Sequence, residues 1–127
     1  MTEPIFEITK AAAFDAAHYL PVGPSEHRYR RMHGHSFRVE ATVRGPADPE
    51  TGWVVDLAGL DEALAQAAEA LDHGLLNEKP GLERPTLERL CQYFVTQMRP
   101  KFPGLSRIVV ARPSIGESCS LVLSEVA

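Results

Sequence analysis

Three histidines in this chain have the types and spacing of metal ligands. His33 and His35 flank Gly34 at the start of an alternating apolar run, and His18 closes an earlier run. Side chains alternate along a strand, so His33 and His35 point to one face. Three neutral imidazoles with one open position are typical of a catalytic zinc ion. The spacing therefore predicts a divalent-metal site on His18, His33 and His35. The alternative is that His33 and His35 are simply polar residues at the start of a strand and bind no metal.

A second candidate for chemistry is the pair Asp72 and His73, which follows a predicted helix. A carboxylate beside an imidazole can fix its tautomer and raise its basicity, as in an acid–base pair. Alternatively, a histidine at a helix C-terminus interacts favourably with the helix dipole. Taken alone, the pair is more typical of this second role.

The elements that must position these residues are read from hydrophobic periodicity. The clearest signal is strict alternation from His35 to Arg44, which predicts a half-buried antiparallel strand. Asp56 and Thr86 are suited to cap two helices. The predicted elements are strands at 5–18, 33–44 and 53–55, helices at 57–71 and 87–99, and a hairpin of strands at 108–112 and 119–125. This order predicts an α+β fold, with helices on one face of an antiparallel sheet.

Composition limits the classes of function. A chain of 127 residues with 44% hydrophobic and 24% charged residues is expected to form one globular domain, residues 1–127. A net charge of −4 without a basic run argues against nucleic acid as a partner. No apolar stretch approaches the ~20 residues that span a bilayer, and the first residues lack signal-peptide features. We therefore expect a cytoplasmic protein without a membrane or nucleic-acid partner, in which Cys91 and Cys119 stay reduced and structural.

Six short motifs occur in the order and spacing of one known family. They are Phe14-x-Ala16-Ala17-His18, His33-Gly34-His35-Ser36-Phe37, Gly52-Trp53-Val54-Val55-Asp56, Leu71-Asp72-His73, Leu75-Leu76-Asn77 and Pro85-Thr86. The chain resembles the 6-pyruvoyltetrahydropterin synthase family, and it is most similar to the bacterial 6-carboxytetrahydropterin synthases of queuosine biosynthesis.

The resemblance implies a tunnelling fold: a four-stranded antiparallel sheet with two helices on one face. In this family subunits join edge to edge into barrels, so it also implies a homo-oligomer, a trimer or hexamer. It implies Zn²⁺ on His18, His33 and His35, and an acid–base pair at Asp72 and His73. Family members convert 7,8-dihydroneopterin triphosphate by eliminating triphosphate, and the queuosine branch also releases acetaldehyde.

Two positions depart from the family pattern. Tyr29 occupies the place of the catalytic cysteine, four residues before His33, and Arg112 occupies the place of a glutamate that anchors the pterin. A tyrosine has an ordinary pKa near ~10, so it is a poorer base than a thiolate at neutral pH. A guanidinium only donates hydrogen bonds, so Arg112 favours a carboxylate or phosphate. Glu117 is the nearby residue that would replace the anchor if the hairpin register slipped, and pairing of Arg112 with Glu125 is the non-functional alternative.

These observations lead to three hypotheses. The first is a zinc-dependent lyase or isomerase that has diverged to a small, oxygenated, anionic substrate, with Asp72, His73 and Tyr29 moving protons and Arg112 binding the anion. The second is 6-carboxytetrahydropterin synthase activity, with Tyr29 and Glu117 replacing the family residues. The third is a non-catalytic, zinc-stabilised oligomer that binds a ligand.

Overall fold

Four antiparallel strands form the sheet of this protein, and strands that are neighbours in sequence are neighbours in the sheet. The computed structural model describes residues 3–21 and 28–123. The strands are Phe6–His18 (β1), His33–Gly45 (β2), Leu105–Arg112 (β3) and Glu117–Val122 (β4). The helices are Leu57–Glu69 (α1) and Leu87–Met98 (α2), and short 3-10 turns cover Arg28–Arg30, Leu76–Glu78 and Pro113–Ile115.

This arrangement confirms the predicted α+β fold and most of its elements. The side chain of Asp56 accepts a hydrogen bond from the Ala58 amide at 3.1 Å, and that of Thr86 accepts from the Arg89 amide at 3.2 Å. Both predicted caps therefore hold the first turns of α1 and α2. Residues 124 and 125, the predicted end of the last strand, lie outside the described residues.

The predicted short strand at 53–55 is wrong. Asp48 organises this segment as a turn: its side chain accepts hydrogen bonds from the Glu50 and Thr51 amides at 2.8 and 3.1 Å. The Asp48 amide donates to the Trp53 carbonyl at 2.8 Å. Because the local turn takes up these backbone groups, the segment joins no sheet among the described residues.

The core lies between the helices and one face of the sheet. Its fully buried residues include Phe37 on β2, Leu64 on α1, Phe94 on α2 and Ile108 on β3. Cys91 is buried and Cys119 half-buried, both as free thiols. Burial raises the pKa of Cys91 to about 12, so its thiol is inert at neutral pH. The helices have 13 and 12 residues, and in the described part of the chain none is long and apolar enough to cross a bilayer.

Candidate functional site

Strand pairing brings the three histidines together at one end of the sheet. His18 is the last residue of β1 and lies directly opposite His33, the first residue of β2. His35 lies two residues further along β2, on the same face. One ring nitrogen from each of the three lies within 4.8 Å of the others. The structure therefore groups all three predicted metal ligands.

Main-chain carbonyls fix the tautomers of two of these histidines. His18 Nδ1 donates to the Pro85 carbonyl at 3.0 Å, and His33 Nδ1 donates to the Arg31 carbonyl at 2.7 Å. In a neutral imidazole the other nitrogen then carries a lone pair. The two remaining nitrogens, His18 Nε2 and His33 Nε2, lie 3.0 Å apart. Two lone pairs cannot hydrogen-bond to each other, so the arrangement requires a proton or a metal ion between them.

Burial favours the neutral, metal-binding form of His18 and His35. His18 is 1% exposed. Burial lowers its pKa to about 4. The hydrogen bond that His18 donates to the Pro85 carbonyl opposes this effect, and the charges of His33, His35 and Arg112 add smaller decreases. Burial also lowers the pKa of His35, followed by the charge of Arg112. The donor set fits zinc, because zinc requires neutral imidazole and because such ligands use the second nitrogen to bond a carbonyl.

Two phenylalanine rings, Phe37 against the histidines and Phe14 stacked on Phe37, form what we call the aromatic floor. The Phe37 ring lies edge-on to His18 and His35, with centroid distances of 6.2 and 5.7 Å. Phe14 stacks on Phe37 at 4.9 Å. These packed rings leave the imidazoles little freedom to rotate.

The three histidines line a cavity of about 680 Å³. Its other described lining residues are Leu20, Tyr29, Arg31, Met32, Arg112, Ile115 and Glu117. The cavity is large enough for a small organic ligand. It therefore unites the metal-ligand candidates with three of the five other predicted site residues, Tyr29, Arg112 and Glu117.

Tyr29 reaches this cavity from the short turn before β2. The residue is 45% exposed, and its carbonyl accepts a hydrogen bond from the Leu20 amide at 2.7 Å. That bond ties the turn to the residues that follow β1. The position predicted to replace the family cysteine thus faces the same space as the histidines.

Arg112 and Glu117 face each other across the β3–β4 hairpin, where they are directly paired in the register. Arg112 Nε lies 3.0 Å from Glu117 Oε1, and Arg112 Nη1 donates to His35 Nε2 at 3.4 Å. Gly116, with φ of 69°, supplies the left-handed turn residue that brings Glu117 back opposite Arg112. Glu117 therefore lies beside Arg112 in the regular register, without the slip on which its predicted role depended. Glu125, the alternative partner, lies outside the described residues.

His73 lines an adjoining groove and pairs with the neighbouring Asp72. His73 Nδ1 donates to Asp72 Oδ2 at 2.8 Å, and the Asp15 amide donates to Asp72 Oδ1 at 2.8 Å. The bond to Asp72 raises the pKa of His73. The Asp15 amide, followed by His73, lowers the pKa of Asp72. The groove, of about 830 Å³, includes His73, His33 and His35 among its walls, so the pair is near the histidines without lining their cavity.

The sequence did not reveal the groups that orient the site residues. The Pro85 and Arg31 carbonyls are main-chain groups, which carry no side-chain signature. Asp15 holds the Asp72 loop through its backbone: its carbonyl also accepts from the His73 amide at 2.6 Å, and His73 has a φ of 58°. A left-handed histidine requires such support, because that conformation is unfavourable for a residue with a Cβ.

Comparison with known proteins places this geometry in context. The 6-pyruvoyl tetrahydropterin synthase family profile matches residues 7–123. The chain is 37% identical over 109 residues to the 6-carboxy-5,6,7,8-tetrahydropterin synthase of Synechocystis sp., covering 81% of this chain and 83% of that protein. Caenorhabditis elegans 6-pyruvoyl tetrahydropterin synthase has a similar structure, with a TM-score of 0.85, 21% identity and coverage of 98% and 99% of the two chains. The structure of Plasmodium vivax 6-pyruvoyltetrahydropterin synthase is also similar, with a TM-score of 0.70 and 16% identity. The match covers 94% of this chain and 98% of that chain.

Proposed function

Because the chain belongs to the 6-pyruvoyl tetrahydropterin synthase family, we propose that it is a zinc-dependent lyase or isomerase for a small, oxygenated, anionic substrate. The observation that carries the proposal is the convergence of three histidine nitrogens within 4.8 Å beside a cavity that also holds Tyr29 and Arg112. The cavity therefore combines nitrogen ligands suited to a cation with the fixed positive charge of Arg112, which lies beside His35.

The proposed cofactor is Zn²⁺ held by His18, His33 and His35. When bound, zinc supplies Lewis acidity that polarises a hydroxyl or carbonyl group. The carbonyls of Pro85 and Arg31 hold His18 and His33 in the tautomer that leaves Nε2 free. Such partners increase the basicity of a ligand and fix its orientation.

We assign proton transfer to His73, oriented by Asp72, and to Tyr29. The Asp72 carboxylate accepts the Nδ1 proton of His73, so Nε2 is the nitrogen that exchanges a proton with substrate. The side chain of His73 is 81% exposed, and the groove that it lines shares His33 and His35 with the cavity. A substrate that extends from the cavity into this groove would reach the nitrogen. Tyr29 is the proposed second group, because it lines the cavity beside the histidines.

Arg112 is the proposed substrate anchor. Its side chain is 15% exposed, it lines the cavity, and it lies beside His35. A guanidinium matches the geometry of a carboxylate or phosphate, and it offers no acceptor for the N–H edge of a pterin. The anionic part of the substrate would thus lie next to the group being activated.

The second candidate is 6-carboxytetrahydropterin synthase activity on 7,8-dihydroneopterin triphosphate. One observation favours it: Glu117 lines the same cavity, and its carboxylate can accept hydrogen bonds from a pterin. The Synechocystis relative carries that activity in its name. In this alternative Glu117 replaces the anchor and Tyr29 replaces the cysteine.

The outer strands of the sheet are suited to pairing between subunits. The outer strands β1 and β4 each have one side without a strand partner among the described residues, and edge pairing between subunits would cover such sides. We propose a cytoplasmic homo-oligomer, a trimer or hexamer, formed from the single domain 1–127.

Turnover of 7,8-dihydroneopterin triphosphate by the zinc-loaded protein separates the two candidates. We expect no release of triphosphate by the wild type, and release by the Tyr29→Cys/Arg112→Glu double variant. Rapid turnover by the wild type would contradict the anionic non-pterin substrate and support the second candidate. A double variant that binds zinc but stays inactive would show that Tyr29 and Arg112 do not set the substrate. His33→Ala is the control for activity independent of the site.

A further inference from the structure

Arg112 contacts one of the two ring nitrogens through which His35, the third predicted ligand, could bind a metal ion. Its Nη1 donates to His35 Nε2 at 3.4 Å. That nitrogen therefore accepts a hydrogen bond through its lone pair, and the proton of the neutral ring is on Nδ1. A lone pair cannot serve a hydrogen-bond donor and a metal ion at the same time.

The hydrogen-bonding capacity of the Arg112 guanidinium is only partly used. Arg112 Nε is buried, and no atom in the described part of the chain accepts a hydrogen bond from it with suitable geometry. Glu117 Oε1 nevertheless lies 3.0 Å away, so charge attraction holds the pair without an aligned hydrogen bond. A small rotation of the guanidinium away from His35 would give it a better partner in Glu117.

We propose that Arg112 competes with the metal ion for His35 Nε2, and that Glu117 accepts the guanidinium when the ion binds. This inference rests on the metal site of the proposed function. Arg112 then sets the metal affinity of the site. An anion in the cavity that engages Arg112 draws it from His35 and strengthens metal binding. By linkage, the metal strengthens anion binding by the same factor.

Zinc affinity, measured by competition with a chromogenic chelator at fixed pH, tests the competition. We expect Arg112→Gln to bind zinc roughly tenfold more tightly than the wild type, the scale on which groups around metal ligands alter affinity. Arg107→Gln is the matched control, because Arg107 lies on the same strand opposite Val122 and outside the residues that line the cavity. It should change zinc affinity by about twofold at most.

A variant that keeps the charge separates competition for a lone pair from simple charge repulsion. The Arg112 side chain is only 15% exposed, so salt would screen its charge weakly. Arg112→Lys keeps the positive charge but removes the guanidinium Nη1 donor, so we expect it to bind zinc more tightly than the wild type, as Arg112→Gln does. Wild-type zinc affinity in Arg112→Lys would overturn the competition.

Sulfate at constant ionic strength tests the coupling to anions. Zinc affinity of the wild type should rise with sulfate, and that of Arg112→Gln should not. An equal response of both proteins would overturn the coupling through Arg112.

Glu117→Gln provides a second test if Arg112→Gln does not fold. Removing the carboxylate leaves the displaced guanidinium without its acceptor, so zinc should bind more weakly. Unchanged or tighter binding would overturn the role of Glu117. If none of these proteins, including the wild type, binds zinc, the metal site itself fails. If all bind zinc with equal affinity, only the competition fails.

Discussion

His18 Nε2 and His33 Nε2 lie 3.0 Å apart, and the opposite nitrogen of each ring donates to a main-chain carbonyl. Ligand nitrogens on a tetrahedral zinc ion, each at 2.0–2.1 Å, are separated by about 3.3 Å. The two carbonyl hydrogen bonds therefore orient the rings so that their Nε2 atoms lie near the spacing of ligands on one ion. Such preorganisation reduces the cost of binding an ion.

Zinc should stabilise the folded protein, because only the folded chain groups the three histidines. At a free zinc concentration a hundred times its Kd, the expected gain in free energy of unfolding is about 2.7 kcal/mol. Chemical denaturation with zinc and with excess chelator measures this difference. His35→Ala should remove most of it. The same gain in wild type and His35→Ala would place the ion elsewhere.

The pKa of His73 should depend on Asp72. The ion pair raises the pKa of His73, so Asp72→Asn should return it toward the ordinary value near ~6.5. NMR titration of the imidazole protons measures the change, and Asp61→Asn is the control, since Asp61 pairs with Lys10 at 3.7 Å. An unchanged pKa in Asp72→Asn would contradict the pair.

The same pair gives stability a defined pH dependence. The raised pKa of His73 contributes stability that is fully present below ~6.5 and is lost as pH rises through the folded pKa. The lowered pKa of Asp72 contributes stability that is present above ~3.9 and is lost as pH falls through its folded pKa. The difference in stability between wild type and Asp72→Asn should therefore be greatest between these two values. A difference that grows steadily toward alkaline pH would contradict this account.

Phe37 should matter for metal binding as well as for packing. Phe37→Leu removes the ring beneath His18 and His35, and we expect a loss of about 1–2 kcal/mol in unfolding free energy. Zinc affinity should fall about tenfold. Phe94→Leu is the matched control, because Phe94 is fully buried and its ring centroid lies 5.9 Å from that of Phe14. Phe94→Leu should lower the free energy of unfolding by a similar amount without weakening zinc binding. Equal losses of affinity would show that the floor plays no specific role.

The cap of α2 should contribute measurably to stability. Thr86→Ala removes the acceptor for the Arg89 amide and should lower the unfolding free energy by about 1 kcal/mol. Thr96→Ala, at an exposed position within the same helix, should change it little or raise it slightly, since alanine favours helix interiors. Denaturant titration of both variants decides the point. Similar effects at the two positions would argue against the cap.

Local chemistry made much of the fold predictable. The alternation after His35 specifies a strand because its period is that of the pleat, and Asp56 and Thr86 mark helix starts because their side chains satisfy exposed amides. The strand predicted at 53–55 is wrong because a run of three apolar residues fits a loop as well as it fits a strand. Its actual structure depends on Asp48, whose role is set by a turn geometry that hydrophobic pattern does not encode.

The site was predictable in its side chains and not in their orientation. Strand parity placed His33 and His35 on one face, whereas the Pro85 carbonyl reaches His18 from 67 positions away in the chain. Glu117 was predicted to reach the site only through a register slip, because its place opposite Arg112 depends on the left-handed Gly116 that sets the hairpin register. Long-range contacts of this kind are fixed by tertiary packing and leave no local pattern.

Cobalt titration of the metal-free protein is the most direct test of the central claim, that three histidines hold a reactive metal ion. Substituted cobalt reports coordination through its visible absorption. The account predicts saturation at one cobalt ion per chain, with a four-coordinate spectrum that disappears in His18→Ala, His33→Ala and His35→Ala and persists in Cys91→Ser. Absence of binding, or a spectrum unchanged by the three histidine substitutions, would contradict it.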